Sequence, residues 1–387
     1  MKIGLFTDTY YPQVNGVANS VYTLRKNLEK QGHEIYVFTT SNGLLMKGDR
    51  SNNLYCAPSI PAVSENRFAV FYGAKWGKII KDAQFDLIHT HTEFSLGLLG
   101  RFMARKHKIP HVHTYHTIYE DYTHHIVKVH RLEPIARRAA RKMSSFYCNS
   151  ANYLIVPTEK IETLLKSYGV SREIHVIPTG IELKKYYPQT HSAEDVVALK
   201  KELGLEDHHK VILFVGRVAK EKNISELLIN LQEYLHNNPH IYFLLVGDGA
   251  EKDALIALCK KLSLDNQVKF LGKKPWDTIG RYYQLGDIFI SASQSETQGI
   301  TYVEALAAGL PVVAKEDPCL ENVVNHGENG YLFQTKSQFL SYVEELLQNE
   351  DKRKIMAENA KTSAERFSEE AFGDNMTKLY EHVIGSS

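Results

Sequence analysis

Strand-like apolar runs alternate with helical patterns along this chain of 387 residues, and the series occurs twice. The first series begins at Lys2–Thr7 and ends at Ile174–Ile177, and the second begins at Val211–Val215 and ends at Val312–Ala314. Alternating strands and helices build parallel sheets with helices on both faces. The sequence therefore predicts two doubly wound α/β domains, joined by a polar segment around Pro188.

Two glutamates eight residues apart, Glu296 and Glu304, mark the most informative segment of the second series. The segment follows a strand-like run that ends at Ser291 and opens a helix. Unpaired backbone N–H groups at a helix start form an anion site. Carboxylates accept hydrogen bonds from sugar and ribose hydroxyls. Loop amides for a diphosphate, flanked by two such acceptors, are the features expected of a nucleotide-sugar site.

Positive charge for a diphosphate is supplied upstream in the same domain. The strand-like run at residues 211–215 is followed by Gly216, Arg217 and, five residues later, Lys222. An arginine offers a planar fork to phosphate oxygens and a lysine offers a point charge. Taken alone, these residues are equally well explained as part of a solvated loop. Beside the two glutamates, they favour stabilisation of a leaving diphosphate.

These residues resemble a known family. Gly216-Arg217-x4-Lys222 together with Glu296-x7-Glu304 is similar to the donor-site signature of retaining GT-B glycosyltransferases of family 4. More narrowly, residues 113–122 and 293–299 resemble bacterial 1,2-diacylglycerol 3-alpha-glucosyltransferases. The resemblance implies two Rossmann-like domains facing across a cleft, an acceptor domain at residues 1–183 and a donor domain at residues 184–366. It also implies a final helix, residues 367–387, that packs back on the first domain.

The resemblance further implies an activity and a set of site residues. It implies transfer of a hexose, most simply glucose from UDP-glucose, with retention onto a membrane lipid such as diacylglycerol. His91 and Glu93 are acceptor-side residues in this interpretation, although a structural role explains them equally well. No Asp-x-Asp metal motif accompanies the donor set, so we expect no cofactor or required metal. The catalytic residues expected are His116, Glu296, Arg217 and Lys222, and the donor-binding residues are Gly16, Arg217, Lys222, Glu296, Gln298, Gly299, Ile300, Thr301 and Glu304.

Three other functions stay open from the sequence. Nine of the 18 histidines lie within 42 residues, from His89 to His130, and imidazoles at alternate strand positions can chelate a metal ion. A metal-dependent hydrolase is therefore an alternative, although it leaves the glutamate pair unexplained. A soluble family-4 enzyme acting on a sugar or small metabolite is a nearer alternative. A module that binds UDP without turnover is the most distant.

Charge is divided unevenly along the chain. Residues 1–190 carry 25 Lys and Arg against 15 Asp and Glu, whereas residues 191–387 carry 21 against 30. The basic half is expected to face an anionic partner. No nucleic-acid recognition motif is present, so we do not expect nucleic acid as that partner and favour an anionic membrane surface.

Two segments of the basic half are predicted to contact that membrane. Aromatic and basic residues recur at helical spacing from Glu65 to Lys81, and a second basic stretch runs from His124 to Lys142. No apolar run approaches the roughly 20 residues needed to span a bilayer, and four scattered cysteines indicate a reducing compartment. We therefore predict a cytoplasmic protein peripheral to the inner face of the cell membrane. Its predicted membrane-facing residues are Phe71, Trp76, Arg137, Arg138, Arg141 and Lys142.

Overall fold

The computed structural model describes residues 1–13, 15–41, 48–61, 67–70, 73–122 and 133–386. The chain forms two compact units, each with its own sheet and core. Unit 1 comprises Met1–Ile181 and Glu369–Ser387, and unit 2 comprises Glu182–Ser368. These divisions lie two residues from the boundaries expected from the sequence. Two doubly wound domains were predicted, and that fold class is confirmed.

Unit 1 is built on a parallel sheet of seven strands in the order β3-β2-β1-β6-β7-β8-β9, with β4 and β5 forming a separate antiparallel pair. The strands are β1 (Lys2–Phe6), β2 (Glu34–Thr40), β3 (Leu54–Ala57), β4 (Ser59–Pro61), β5 (Arg67–Ala69), β6 (Leu87–Thr90), β7 (His111–Thr114), β8 (Tyr153–Val156) and β9 (Ile174–Val176). The helices are α1 (Gly16–Lys30), α2 (Gly73–Ala83), α3 (Ser95–His107), α4 (Glu133–Cys148) and α5 (Glu159–Ser167).

Unit 2 has a parallel sheet of six strands in the order β12-β11-β10-β13-β14-β15. Its strands are β10 (Lys210–Val215), β11 (Ile241–Val246), β12 (Val268–Gly272), β13 (Ile288–Ser291), β14 (Val312–Lys315) and β15 (Gly330–Phe333). Its helices are α6 (Ala193–Glu202), α7 (Ile224–Asn237), α8 (Lys252–Lys261), α9 (Gly280–Tyr283), α10 (Ile300–Ala307), α11 (Lys336–Gln348) and α12 (Glu350–Ala364).

The last helix, α13 (Glu369–Gly385), belongs to unit 1 and packs against α1. A Cβ added to Gly373 would meet the Asn27 Cβ at 2.8 Å, so the two helices approach too closely for a larger residue. The Glu369 carboxylate accepts from Lys26 Nζ at 3.1 Å and from Lys30 Nζ at 3.3 Å. The carboxyl-terminal helix is therefore joined to the first helix by close packing and by charge.

One helix predicted from the sequence is wrong in its extent. The residues from Glu65 to Lys81 were expected to form a single interfacial helix, but Arg67–Ala69 is the strand β5 and α2 begins at Gly73. The Arg67 guanidinium donates to Ser59 Oγ at 2.8 Å and to the Ser59 carbonyl at 2.9 Å. Because pairing with β4 holds Arg67–Ala69 extended, Phe68 does not share a helical face with Trp76 of α2.

No helix in the described part of the chain combines the length and the apolar character needed to cross a membrane.

Candidate active site

The order of strands in unit 2 reverses between β10 and β13, which are neighbours in the sheet. Ligands of open α/β sheets bind at the carboxyl ends of the strands flanking such a point. The loop after β10 carries Gly216, Arg217 and Lys222, and the loop after β13 carries Glu296. These loops, together with residues 297–301, line a cavity of about 220 Å³. The structure therefore brings the two sequence motifs of the donor site into one place.

The helix α10 begins at this cavity. Gly299 precedes it with φ 71° and ψ 47°, a left-handed conformation that favours glycine. A Cβ at this position would also meet the Tyr302 ring at 2.9 Å. The N-cap residue of α10 is Gly299, which has no side chain, and Gln298, Gly299, Ile300 and Thr301 line the cavity. An anion placed there is favoured by the helix dipole and by the first N–H groups.

Lys222 and Glu296 form an ion pair inside the cavity, with Lys222 Nζ donating to Glu296 Oε1. Their side chains are 15% and 17% exposed, so water screens the pair less than it would on the surface. Arg217 is different, because its side chain is 63% exposed and pairs with Glu221 at 3.0 Å. The sequence assigned Lys222 to phosphate and Glu296 to sugar, and the structure joins these two groups directly.

Glu304 lies within α10 and does not line the cavity. Its two carboxylate oxygens accept from the hydroxyls of Tyr186 at 2.7 Å and Tyr283 at 2.6 Å. Burial raises the pKa of Glu304, and the two hydrogen bonds lower it in part. The pKa values of both tyrosines lie well above the usual range, chiefly because of burial and then because of the Glu304 charge. Both phenols therefore stay protonated donors.

Sequence reasoning did not identify these two tyrosines. Tyr186 lies 118 residues before Glu304 and Tyr283 lies 21 residues before it, so no local spacing marks the group. Their rings meet edge to face, with centroids 5.4 Å apart. The arrangement fixes the Glu304 carboxylate with neutral donors and leaves its remaining lone pairs as hydrogen-bond acceptors.

In unit 1, the predicted site residues follow β1, β6 and β7. Gly16 is the first residue of α1, and a Cβ added there would meet no atom within 4 Å. His91 and His116 share a hydrogen bond, with His91 Nδ1 and His116 Nε2 3.1 Å apart. Burial and the neighbouring histidines hold the pKa of His91 well below its usual range, and burial lowers the pKa of His116 to about 3. Both rings are therefore neutral hydrogen-bonding groups at physiological pH.

Glu93 is buried within the same group. Its carboxylate accepts from the Tyr119 hydroxyl and lies 3.2 Å from His113 Nε2. These bonds account for a structural role, and the structure shows no exposed carboxylate at this position because Glu93 is only 5% exposed.

Asp8, which was not predicted, holds the start of α3. Its carboxylate accepts from Thr92 Oγ1 at 2.6 Å, from the Leu96 N–H at 3.1 Å and from the Ser95 hydroxyl. Burial raises the pKa of Asp8, and these hydrogen bonds oppose the rise. A carboxylate at a helix start is stabilised by the helix dipole. Asp8 therefore ties the loop after β1 to the loop after β6.

Three further histidines of the cluster, His89, His111 and His113, are engaged in hydrogen bonds to protein side chains, whereas His124, His125 and His130 lie outside the described residues. His89 lies 2.6 Å from the Tyr380 hydroxyl through Nδ1 and 2.7 Å from Thr114 Oγ1 through Nε2. Thr90 Oγ1 lies 2.9 Å from a ring nitrogen of both His111 and His113. Across the described ranges, no three His, Cys, Asp or Glu side chains are arranged to hold a metal ion. Hydrogen bonding within the fold accounts for the alternating His89, His91, His111 and His113, whose spacing raised the hydrolase alternative.

The predicted membrane-facing residues differ in their contacts and in their exposure. Phe71 lies outside the described residues. Trp76 packs against Phe38, with ring centroids 5.2 Å apart. The Arg141 guanidinium donates to Glu120 at 2.8 Å, and Arg137 pairs with Glu133 at 3.1 Å. The two that are exposed without an ion pair among the described residues are Arg138 and Lys142.

Comparison with known proteins identifies the class. A family model described as Glycosyl transferases group 1 matches residues 195–363, and one described as Glycosyltransferase Family 4 matches residues 14–185. Among solved structures, Anabaena HepE in complex with UDP and glucose has a TM-score of 0.75 over 99% of this chain and 100% of its own, at 21% identity. That likeness shows the fold, which is the GT-B fold.

Two curated relatives narrow the family. An alpha-monoglucosyldiacylglycerol synthase from Acholeplasma laidlawii is 34% identical over 99% of this chain and 98% of its own length. A second protein of that name, from Streptococcus pneumoniae, is 40% identical over 86% of this chain and 75% of its own length. The chain belongs to the family-4 GT-B glycosyltransferases, as the donor-site motifs predicted, and it is a glycosyltransferase rather than a hydrolase.

Proposed function

We propose that this protein transfers glucose from UDP-glucose to diacylglycerol with retention of the anomeric configuration. The observation that carries the proposal is the cavity between the β10 and β13 loops, where Lys222, Glu296 and the start of α10 meet. Similarity to two alpha-monoglucosyldiacylglycerol synthases over most of the chain supports glucose and diacylglycerol as the substrates.

The donor diphosphate is proposed to bind at the start of α10, with Arg217 and Lys222 supplying positive charge. The Arg217 side chain is largely exposed, so it can turn toward a phosphate without leaving a buried position. Lys222 shares its charge between Glu296 and a phosphate oxygen, and Glu296 orients the sugar hydroxyls. Cationic side chains and a helix start stabilise the developing charge of a leaving diphosphate. On this basis we propose that catalysis requires neither a metal ion nor another cofactor.

Glu304 is proposed to accept the ribose hydroxyls while Tyr186 and Tyr283 hold its carboxylate. Each carboxylate oxygen has two lone pairs, and each receives one phenol hydrogen bond. The carboxylate therefore retains acceptor capacity for a diol, and this capacity supports the assignment although Glu304 does not line the cavity.

The transfer step is proposed to occur on one face of the sugar. The bond between the anomeric carbon and the diphosphate oxygen breaks, and the diacylglycerol hydroxyl oxygen bonds to that carbon from the same side. The hydroxyl proton passes to the departing phosphate oxygen. Neutral His116 donates a hydrogen bond to the transferred sugar, and the low pKa of His116 supports this uncharged role.

Because the proposed acceptor is a membrane lipid, the transfer reaction is proposed to take place at a membrane surface. The basic balance of residues 1–190 supports an anionic surface, to which cationic segments are attracted within about 8–10 Å at physiological ionic strength. We propose that the protein is peripheral on the inner face of the cell membrane.

A donor and acceptor panel tests the function. UDP-glucose, UDP-galactose and GDP-mannose are each supplied with diacylglycerol in mixed micelles, and separately with soluble sugars, and products are identified by mass spectrometry. We expect a hexosyl-diacylglycerol from UDP-glucose at a rate that the other donors do not reach. Transfer to a soluble sugar with no lipid product would support the soluble family-4 alternative and overturn the proposal.

A further inference from the structure

A cavity of about 1040 Å³ lies at the edge of the unit 1 sheet where β7, β8 and β9 begin. His111 and Tyr153, the first residues of β7 and β8, line it together with Arg172, which precedes β9. This edge is opposite the carboxyl ends of the same strands, where His91 and His116 follow β6 and β7. We call this space the amino-edge cavity.

The amino-edge cavity is strongly cationic. Four basic side chains line it, namely Arg101, Arg105, Lys108 and Arg172. Within the described ranges no ion pair involves any of these four, and the one acidic side chain that lines the cavity, Glu173, lies 3.4 Å from His175 Nε2. Burial and the Arg105 charge lower the pKa of Arg101, whose guanidinium lies 4.7 Å from the centroid of the Phe146 ring. The fold therefore holds like charges close together at this edge.

Helix polarity explains only part of this charge. Cations are favoured at the carboxyl end of a helix, which accounts for Arg105 in the last turn of α3 and for Lys108 directly after that helix. It does not account for Arg101, which lies one turn earlier, or for Arg172 before β9. The Arg172 Nε donates to the Asn149 carbonyl at 2.9 Å, so a neutral acceptor holds this guanidinium at the cavity.

His111 adds a buried ring nitrogen that has no partner. This residue is only 3% exposed, and its Nε2 lies 2.9 Å from Thr90 Oγ1. Its other ring nitrogen, Nδ1, makes no hydrogen bond to any of the described residues. Burial lowers the pKa of His111 to about 3, so the ring is neutral. Because buried polar atoms are nearly always hydrogen-bonded in folded proteins, an unpaired one at a cavity indicates a place where a ligand binds.

The contacts around His111 keep Nδ1 at the cavity. The His111 N–H donates to Asn152 Oδ1 at 3.0 Å, and Thr90 Oγ1 lies 2.9 Å from His113 Nδ1 as well as from His111 Nε2. Turning the ring to pair Nδ1 would therefore break its bond to Thr90. When the Thr90 hydroxyl donates to Nε2, the neutral ring carries its proton on Nδ1 and presents a hydrogen-bond donor.

We propose that the amino-edge cavity binds a small, water-soluble phosphate ester of a sugar or polyol. Guanidinium and ammonium groups bind phosphate oxygens, and His111 Nδ1 supplies a neutral donor beside them. Asn149, Ser150 and Ser171 also line the cavity and offer polar groups to the hydroxyls of such an ester. The volume suits a molecule of this size together with water. These polar side chains and the Glu173 carboxylate disfavour an anionic bilayer, which attracts cationic and apolar surfaces.

The ligand is a third molecule in addition to the donor and the acceptor. None of the residues that line the amino-edge cavity is assigned to either substrate in the proposed transfer, and all of them belong to unit 1. Binding at this cavity can therefore be measured without the transfer reaction.

Calorimetry on the full chain tests the site, with inorganic phosphate and glucose 6-phosphate as probes and glucose as the uncharged control. Saturating UDP is present throughout, so that the proposed donor site is occupied. We expect both phosphate probes to bind and glucose not to bind. Arg105→Gln with Arg172→Gln should weaken binding by about 10-fold, since each exposed ion pair contributes modestly. Lys78→Gln with Lys81→Gln removes the same charge from exposed positions of α2 and should change the affinity by less than about twofold.

A further variant tests the unpaired nitrogen. His111→Gln retains a side-chain nitrogen that can bond Thr90 but lacks Nδ1, so it should bind glucose 6-phosphate about 3–10-fold more weakly. In the unmodified protein, the ¹⁵N signal of His111 Nδ1 should move when phosphate is added. This spectroscopic measurement does not depend on how well the variant folds.

Several results would overturn the inference. They are failure of both phosphate probes to bind, equal losses in the two double variants, unchanged affinity in His111→Gln, and a His111 Nδ1 signal that phosphate does not move. Binding to phosphatidylglycerol vesicles that the Arg105 and Arg172 changes abolish, with no binding of the soluble probes, would also overturn it and identify a lipid phosphate as the ligand. Absence of glucose transfer to diacylglycerol would reject the proposed function alone, because phosphate binding is measured without transfer.

Discussion

The two units differ in how their predicted site residues are used. In unit 2, Arg217, Lys222 and Glu296 line one cavity on neighbouring loops. In unit 1, Glu93 is committed to internal hydrogen bonds and His91 is paired with His116. The comparison shows that side chains in the loops after neighbouring parallel strands lie close together, because the sheet topology places those loops at the same edge. Whether a unit 1 side chain is available to bind the acceptor depends instead on the hydrogen bonds that it already makes within the fold.

The largest expected effect falls on the donor unit. Lys222→Ala should cost about 2–4 kcal/mol of transition-state stabilisation, the range for one lost preorganised donor, and Arg217→Ala should fall toward the lower end because that side chain is largely exposed. Lys220→Ala, an exposed change two positions away, is the control for kcat/KM. Near-normal turnover of Lys222→Ala would remove Lys222 from the donor site.

A second comparison separates the two glutamates. Glu304→Gln should weaken UDP binding by about 1–3 kcal/mol, because a buried acceptor loses its charge and one acceptor site. Glu296→Gln should leave UDP affinity within about twofold of the unmodified protein and lower turnover, because it acts on the sugar. Calorimetry with UDP measures both. Equal losses of UDP affinity in the two variants would contradict this division of roles.

A smaller effect is expected from the tyrosines that hold Glu304. Tyr283→Phe removes a hydrogen bond that lowers the pKa of Glu304, so its pKa rises further above the usual range. Glu304 then protonates at a higher pH than in the unmodified protein. As the pH is lowered, UDP affinity should therefore begin to fall at a higher pH in the variant. The midpoint should move upward by about one pH unit, which corresponds to about 1.4 kcal/mol.

The tyrosine prediction is checked by UDP titrations between pH 5 and 8, with Tyr282→Phe as the neighbouring control. The pH dependence of folding has the opposite sign: a carboxyl group with a raised pKa stabilises the fold most at low pH, and this contribution is lost as pH rises through the folded-state pKa. A parallel drop in UDP affinity at every pH would indicate a packing role instead.

The smallest effect on UDP binding is expected from a change in unit 1. Tyr380→Phe removes the hydroxyl that bonds His89 from α13 and leaves a buried ring nitrogen with one partner fewer. We expect a loss of about 1–3 kcal/mol in the free energy of unfolding, with UDP affinity unchanged because the donor residues belong to unit 2. Denaturant unfolding measures the first quantity and calorimetry the second.

The sequence predicted the two sheets and the donor motifs because long apolar runs and loop residues after them are local signals. It missed the edge strands β3 and β15, which have four residues each and lie at the outer side of their sheets. It also missed the Lys222–Glu296 pair, formed by residues 74 positions apart. Tertiary packing brings such distant residues together, so no local sequence signal marks them. The aromatic spacing after Glu65 led to a wrong helix prediction for a related reason, because tertiary pairing with β4 makes Arg67–Ala69 a strand.

Stereochemistry of the lipid product tests the central claim most directly. The protein is incubated with UDP-glucose and diacylglycerol in micelles, with the Lys222→Ala variant in parallel, and the anomeric configuration of the purified glycolipid is read by proton NMR. We predict an α-glucosyl-diacylglycerol from the unmodified protein and a strongly reduced yield from the variant. A β-linked product, or glucose found only on a water-soluble acceptor, would contradict a retaining diacylglycerol glucosyltransferase.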